Sequence, residues 1–173
     1  MSNIGLDSNC YTYLIDAMAS PSAPRDALAD QRIALFRVFL YRPGGLYLTP
    51  TVRKEFEAIR SPDRAAHHQS WTTLFPETQP IDKAGIDART SDLERSHGDP
   101  GDCRIVAEAE DASLTCILTF DSAFIDNLSS HTKMKLQRPL DFWNSLGIAK
   151  GVTPATVPSD DNPLSRETWW RWI

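Results

Sequence analysis

The sequence is poor in cysteine and contains no long hydrophobic run. Its three cysteines, Cys10, Cys103 and Cys116, form no CxxC pair, which argues against a disulfide scaffold or a Cys-rich zinc site. We expect them to be small core residues. No apolar stretch approaches the roughly 20 residues needed to cross a membrane, and the N-terminus lacks a basic stretch followed by an apolar signal core. These absences predict a cytoplasmic protein with no membrane partner.

An excess of positive charge is absent as well. The chain has 18 Lys and Arg against 23 Asp and Glu, for a net charge of −5, which argues against a protein that coats nucleic acid with a basic surface. It does not exclude a nuclease, because a metal site can supply positive charge locally. There is no GxGxxG motif or P-loop, and Ser8 and Ser122 lack an evident His and Asp for a hydrolase triad.

Short apolar runs alternate with segments of helical periodicity along the 173 residues. Strands are predicted at Ile4–Leu6, 46–48 and 116–120, with an edge strand at 134–136. The second helix is predicted from about residue 25 to residue 41. Such alternation favours parallel strands with helices on both faces of the sheet. We therefore predict an α/β fold, a single three-layer α/β/α domain with a mostly parallel sheet over residues 1–150. A polar helical insert around 60–95 would form an outer layer or a lid, and residues 151–173 would be a Trp-rich tail.

Two of these strands end in an aspartate, Asp7 and Asp121. The carboxyl ends of parallel strands meet at one edge of a sheet, where ligands bind in open α/β folds. Glu55 and Asp102 lie near helix starts that could face the same edge. Clustered carboxylates repel one another unless a cation joins them, and their hard oxygens suit Mg²⁺ or Mn²⁺. The pattern therefore indicates metal-dependent phosphoryl chemistry.

Each of these acids also has a purely structural interpretation. Asp7 and Asp121 precede helices and could cap them, and Glu55 could be a surface acid favoured by the helix dipole. Asp99 is expected to be the cap of the next helix, with Asp102 at its third position as in a capping box. The functional interpretation depends on the four acids occurring together at matching points of the topology.

Read together, these segments resemble the PIN-domain family, which comprises small α/β nucleases and includes VapC-like toxins of toxin–antitoxin pairs. The resemblance covers about residues 3–148 and rests on the order of the acids, Asp, Glu, Asp, Asp, in short motifs. These are IGLDSN at 4–9, LTPTVRKEF at 48–56, GDCRIVAEA at 101–109 and ILTFDSAF at 117–124, followed by LQRPLDF at 136–142. The long polar insert and the Trp-rich tail fall outside the family pattern.

The resemblance implies a site of Asp7, Glu55, Asp102 and Asp121 that holds Mg²⁺ or Mn²⁺ and hydrolyses phosphodiester bonds of RNA. It further implies that Asn9 orients a ligand or touches substrate. An antitoxin protein and a homodimer are the partners that the family suggests.

Further residues are predicted to assist this site. Thr119 matches the family's hydroxyl residue before the last Asp and could hold a carboxylate. Arg53, Lys54 and Arg104 are candidate phosphate contacts, although an ordinary surface charge is the favoured interpretation of each. Asp126, like Asp99, is an extra acid that could be a peripheral ligand or a surface residue.

Other classes of protein remain as alternatives. A catalytically silent PIN-like module would bind RNA or a protein without cleaving it. A haloacid-dehalogenase-type phosphatase needs a second Asp two residues after the first, where this chain has Asn9, and a receiver domain needs adjacent acids after the first strand. His67 and His68 are adjacent, whereas His97 and His131 stand alone, so we expect solvated or supporting roles and no zinc site.

The tail ends in a tryptophan cluster, Trp169, Trp170 and Trp172. These side chains could dock on the same chain, on a second subunit or on an antitoxin segment, since aromatic residues are enriched at partner interfaces. Packing on the same chain is the favoured alternative.

Overall fold

The computed structural model describes residues 3–42 and 44–173, so residues 1, 2 and 43 of the predicted domain lie outside it. The strands are β1 (Ile4–Leu6), β2 (Leu46–Tyr47), β3 (Cys116–Leu118) and β4 (Lys135–Gln137). The helices are α1 (Ser8–Ala19), α2 (Ala29–Tyr41), α3 (Pro50–Glu57), α4 (Pro62–Trp71), α5 (Lys83–Leu93), α6 (Pro100–Asp111), α7 (Ser122–Leu128) and α8 (Pro139–Ser145). Short 3₁₀ turns lie at Thr72–Leu74, Ser129–His131 and Pro163–Arg166.

The four strands form a parallel sheet in the order β2-β1-β3-β4. Ile4 is in register with Leu46 on one side and with Cys116 on the other. β1 and β3 are buried along their whole length, as expected for parallel strands covered on both faces. The predicted α/β class with a parallel central sheet flanked by helices is therefore confirmed, and β4 occupies the predicted edge.

Some predicted boundaries were wrong, for local reasons. The second helix begins at Ala29 and not near residue 25, because the Asp26 carboxylate accepts the Leu28 N–H at 2.9 Å and holds a turn there. The second strand stops before Leu48, whose backbone instead bonds the returning segment: its N–H reaches Pro76 O at 3.1 Å, and its carbonyl accepts Thr78 N–H at 2.9 Å.

The insert packs against the domain as an outer layer, with α4 on α1 and α5 on α6. His68 of α4 is fully buried, so of the two expected roles the structure excludes the solvated one for it. Its Nε2 lies 2.8 Å from Asp16 Oδ1, and the rings of Tyr11 and Phe56 surround it. Arg64 completes the contact with a bidentate bond to the same carboxylate.

The tail packs on α2 and on the end of α8 of the same chain. Trp170 is fully buried, and Arg37 Nε donates to its carbonyl at 3.1 Å. Trp172 N–H donates to Tyr41 Oη, and its indole N–H donates to Ile148 O, both at 2.8 Å. The same-chain alternative is thus the one that the structure shows, while the division of the chain at residue 150 stays a prediction.

The three cysteines are buried and not disulfide-bonded, as predicted for core residues. None of the helices within residues 3–42 and 44–173 combines the length and apolar character that crossing a membrane requires.

Candidate active site at the carboxyl edge of the sheet

Asp7 continues β1 at the carboxyl edge of the sheet. Its N–H donates to Leu118 O at 3.0 Å, so the strand ladder holds the residue in place. Its side chain is only 2% exposed and accepts a hydrogen bond from Thr119 Oγ1 at 2.6 Å. Although Asp7 precedes α1, its carboxylate makes no capping hydrogen bond to the described residues of that helix. The capping interpretation therefore does not describe this side chain.

The pKa of Asp7 is raised from 3.8 to about 6. Burial is the largest cause, because desolvation disfavours the charged form, and the negative charge of Asp102 raises it further. The Thr119 hydrogen bond and the nearby backbone N–H groups of Ser8 and Asn9 lower the pKa without cancelling these effects. Asp7 is thus a buried acid held in a negative environment.

Thr119 connects the ends of β1 and β3. It is fully buried, and its N–H bonds Gln137 O of β4 at 3.1 Å. Its hydroxyl donates to Asp7 and accepts the Asp121 N–H at 2.9 Å. One small polar side chain therefore orients the Asp7 carboxylate and fixes the backbone of Asp121.

Asp121 caps α7 with one carboxylate oxygen. Its Oδ1 accepts the N–H groups of Ala123 at 2.7 Å and Phe124 at 3.3 Å. Capping, the structural alternative, is thus observed for this oxygen. Oδ2 takes no side-chain hydrogen bond from the described part of the chain, which leaves it able to bind a ligand.

Asp99, and not Asp102, caps α6. The Asp99 Oδ1 atom accepts the N–H groups of Gly101 at 2.8 Å and Asp102 at 3.3 Å. The Asp102 side chain is therefore free for another contact, and its Oδ2 lies 2.7 Å from His97 Nε2. The other ring nitrogen of His97 lies 3.2 Å from the Asn127 amide. With the amide donating to Nδ1, Nε2 carries the proton that is donated to Asp102.

The pKa of Asp102 is also raised, chiefly by burial. The negative charges of Asp99 and Asp121 raise it further, while the hydrogen bond from His97 lowers it. Asp102 acts in turn on Asp7. Asp7, Asp102 and Asp121, which come from three separate chain segments, are therefore near enough for charge on one acid to affect the next.

Glu55 lies on α3, which begins with Thr49 as cap and Pro50 in its first turn. Ser8 Oγ donates to Glu55 Oε2. A Cβ placed on Gly101 would lie 3.0 Å from Glu55 Oε1 and 3.1 Å from Asp99 Oδ1. The glycine therefore permits a close approach of the Glu55 carboxylate to the start of α6.

Two of the three predicted phosphate contacts are engaged by carboxylates. Arg53 Nε lies 3.2 Å from both Glu57 and Glu77. Arg104 forms an ion pair with Asp87 at 2.8 Å, and its Nε reaches a buried glutamate on its own helix. Both guanidinium groups would have to leave these partners in order to bind phosphate.

Three other predicted residues are exposed at their positions. Lys54, Asn9 and Asp126 form no side-chain hydrogen bond or ion pair with residues 3–42 or 44–173. Asn9 lines a cavity together with Asp121, so it borders the acidic edge, whereas Lys54 precedes Glu55 on α3. Asp126 lies on the exposed side of α7, as its surface interpretation expects.

A further buried acid, Glu108, lies behind the site and was missed by the sequence reasoning. It is 4% exposed and accepts the N–H and the hydroxyl of Thr51, both at 2.9 Å, and Arg104 Nε at 3.2 Å. The contact braces α3 against α6, which carry Glu55 and Asp102. The spacing of Arg104 and Glu108 by four residues, among inward apolar neighbours, was the available signal.

The four carboxylates belong to elements that meet near the carboxyl edge of the sheet, but they are not arranged as a metal centre. In the described ranges, no group of three or more His, Cys, Asp or Glu side chains is arranged so that it could hold a metal ion. Asp7, Glu55, Asp102 and Asp121 each use one oxygen for a hydrogen bond. Their other oxygens have the donor chemistry that a hard divalent cation prefers, so the residue types fit even though they have not converged.

Fold and site define an α/β protein with strand order 2-1-3-4 and an acidic carboxyl edge. No protein-family model matches the chain, and no curated protein matches it. Among solved structures, the crystal structure of FitAcB from Neisseria gonorrhoeae is similar, with a TM-score of 0.48 and 16% identity, covering 79% of this chain and 97% of that chain. At this level the similarity assigns neither family nor activity.

Proposed function

We propose that this protein is a metal-dependent endoribonuclease whose acidic site consists of Asp7, Glu55, Asp102 and Asp121. The observation that carries the proposal is the environment of Asp7. This carboxylate is buried, and its side-chain partner is the neutral hydroxyl of Thr119. Its burial and, to a smaller extent, the neighbouring charge of Asp102 raise its pKa. A buried carboxylate is normally paired or coordinates a metal. A cation bound near Asp7 would therefore stabilise its charged form.

The residues around the acids would prepare them for that cation. Thr119 holds Asp7, and His97 holds Asp102, each through one oxygen. The second oxygens would turn toward Mg²⁺ or Mn²⁺ and so lose their mutual repulsion. When bound, such an ion lowers the pKa of a water molecule and offsets negative charge on a phosphodiester.

RNA as substrate rests on the resemblance to PIN domains, which is an argument by analogy. The exposed Asn9, which lines a cavity together with Asp121, and the exposed Lys54, which precedes Glu55 in the chain, would meet the phosphate backbone. A role as the toxin of a toxin–antitoxin pair, an antitoxin partner and a homodimer stay predictions from the same resemblance.

A second candidate function is a catalytically silent module that binds RNA or a protein. The observation that favours it is the absence, among the described residues, of a group already arranged to hold a metal. The two functions differ in whether RNA is cleaved and in whether the acids are needed.

Cleavage of a fluorescent single-stranded RNA with Mn²⁺ or Mg²⁺, and with EDTA, tests the proposal. We expect EDTA to abolish cleavage, and Asp7→Asn or Asp102→Asn to reduce it on the order of 100-fold, because each removes a charge that stabilises the reacting complex. Asp160→Asn, an exposed acid of the tail, is the control and should cleave normally. Full activity in Asp102→Asn and Asp121→Asn overturns the site. RNA binding without cleavage by the unaltered protein supports the silent module.

A further inference from the structure

A cavity of about 320 Å³ opens next to the acidic edge, on the side of α1 and α2. Its size is within the range of about 300–1,000 Å³ that is typical of small-ligand sites. It is lined by Asn9, Tyr13, Leu28, Arg32, Phe120 and Asp121. The cavity is continuous with the proposed active site because Asn9 and Asp121 belong to both.

Two aromatic rings form part of the cavity wall. The Phe120 and Tyr13 centroids are 6.0 Å apart with an interplanar angle of 78°, so the rings meet edge to face. Arg32 covers one face of Tyr13, with its Cζ 4.4 Å from the ring centroid. Phe120 is half-buried and directly precedes Asp121. Its ring therefore offers an aromatic surface one residue away from a proposed catalytic carboxylate.

The same wall carries positive charge. Arg32 pairs with the exposed Asp26, which a phosphate would have to displace, and its Nε is buried with no hydrogen-bond partner among the described residues. A neighbouring cavity of about 370 Å³ shares Tyr13 and Arg32 and is also lined by Arg25. Asp16 also lines this second cavity, but Arg64 and His68 pair with it. Arg25 and Arg32 are therefore the cationic side chains that a negatively charged backbone would meet on this side of the acidic edge.

We propose that this cavity is a nucleotide subsite for single-stranded RNA. The base of the nucleotide next to the cleaved phosphodiester stacks on Phe120, and a backbone phosphate pairs with Arg32. Base–aromatic stacking beside a positively charged groove is how single strands are held without sequence preference. The inference rests on the proposed RNA cleavage, since the subsite serves the reaction at the adjacent acids.

Binding of a single-stranded oligoribonucleotide that carries 2-aminopurine at successive positions tests the stacking. The measurement is made in EDTA with the full chain, so that cleavage does not interfere. We expect stacking to quench the fluorescence at one position. Phe120→Leu should abolish this quenching and weaken the dissociation constant about tenfold, and Phe120→Trp should retain both. Phe39→Leu is the matched control, because Phe39 is a half-buried phenylalanine that stacks on Phe75 away from the cavity.

The salt dependence of the same binding tests the arginine. Arg32→Gln should lower the slope of log K against log salt concentration by about 0.7, the value for one lost phosphate contact on a single strand. Arg166→Gln, which alters an exposed arginine of the tail, should leave the slope unchanged. An equal slope in Arg32→Gln and the unaltered protein overturns the phosphate contact.

The outcomes separate this subsite from the proposed function. Normal quenching and affinity in Phe120→Leu, or no quenching at any position in the unaltered protein, overturn the subsite even if cleavage depends on the acids. Quenching that depends on Phe120 in a protein that never cleaves RNA with Mn²⁺ or Mg²⁺ supports the subsite and contradicts the nuclease.

Discussion

Asp7 and Glu108 are two carboxylates with nearly the same burial and opposite surroundings. Glu108 is 4% exposed and receives three hydrogen bonds, one of them from the Arg104 guanidinium. Asp7 is 2% exposed and accepts a hydrogen bond from the Thr119 hydroxyl. The negative charge of Asp102 acts on it and disfavours its charged form. Burial by itself therefore does not distinguish a structural acid from a functional one; the partners do.

The two regions have different energetic consequences. Donors around Glu108 offset its desolvation, so this acid holds α3 and α6 together. The pKa of Asp7 is raised from 3.8 to about 6, so its charged form is disfavoured in the folded protein. A pKa shift of this size lowers the free energy of unfolding by about 3 kcal/mol at a pH where Asp7 is ionised in both the folded and the unfolded protein. The fold thus maintains an unfavourable charge at the proposed site, as is typical of functional positions.

The largest effect is expected from removing the structural acid. Glu108→Ala should lower the free energy of unfolding by about 3–4 kcal/mol, because the Thr51 N–H and hydroxyl lose a buried acceptor. Urea denaturation at pH 7 measures the change. Glu57→Ala, which removes an exposed partner of Arg53, is the control and should lower the free energy of unfolding by less than about 1 kcal/mol. Equal losses in the two variants would contradict the bracing role.

Asp7→Asn should raise the free energy of unfolding, whereas Glu108→Ala should lower it. We expect the variant to be about 2 kcal/mol more stable than the unaltered protein at pH 8, because an amide carries no charge to desolvate. An acid with a raised folded pKa loses stability as the pH rises from about 4 through about 6, so the difference should vanish near pH 4. Urea denaturation across this range measures it. An Asp7→Asn protein that is destabilised at pH 8 would show that the carboxylate is compensated like Glu108.

Mn²⁺ should stabilise the Asp7 region and not the Glu108 region. At a metal concentration ten times the dissociation constant, we expect the free energy of unfolding of the unaltered protein to rise by about 1.4 kcal/mol. The gain should be absent in Asp7→Asn and in Asp102→Asn. Thermal unfolding at several Mn²⁺ concentrations measures it, with Asp160→Asn as the control. The same gain in all of these proteins would place the bound ion elsewhere.

The smallest effect is expected for Thr119→Val, which keeps the shape and removes the hydroxyl. Stability should fall by about 1 kcal/mol, and the pKa of Asp7 should rise further because the hydrogen bond that lowers it is lost. NMR titration of the Asp7 carboxyl carbon measures the pKa. Thr90→Val is the matched control, since Thr90 is also buried and its hydroxyl donates to Ile86 O at 2.8 Å. A pKa that stays at about 6 in Thr119→Val would exclude the hydroxyl as a determinant.

Local sequence signals were sufficient to predict the first strand and a helix cap. The apolar run before Asp7 predicted β1, and Asp99 was predicted as the cap of α6 from its place three residues before Asp102. These features depend on neighbours within a few residues, so a sequence reports them directly. The start of α2 was missed although its cause, the Asp26 turn, is equally local.

Contacts between distant segments were not predictable in this way. His97 looked isolated, yet it holds Asp102, five residues away, and contacts Asn127, thirty residues away. Glu108 looked like one more helical acid, and its partner Thr51 comes from a different helix. Arg53 and Arg104 looked like free phosphate contacts, but carboxylates from elsewhere in the chain engage them.

From the sequence alone one obtains the alternation of strands and helices and the acids at their carboxyl ends, because periodicity and capping act over a single turn or strand. The tertiary structure determines which oxygen of each acid accepts a hydrogen bond. It also determines that donors surround Glu108, whereas Asp7 lies near another negative charge. This difference depends on desolvation and on charges brought within a few ångströms by the fold. These quantities do not exist until segments more than a hundred residues apart, such as Asp7 and Thr119, lie side by side.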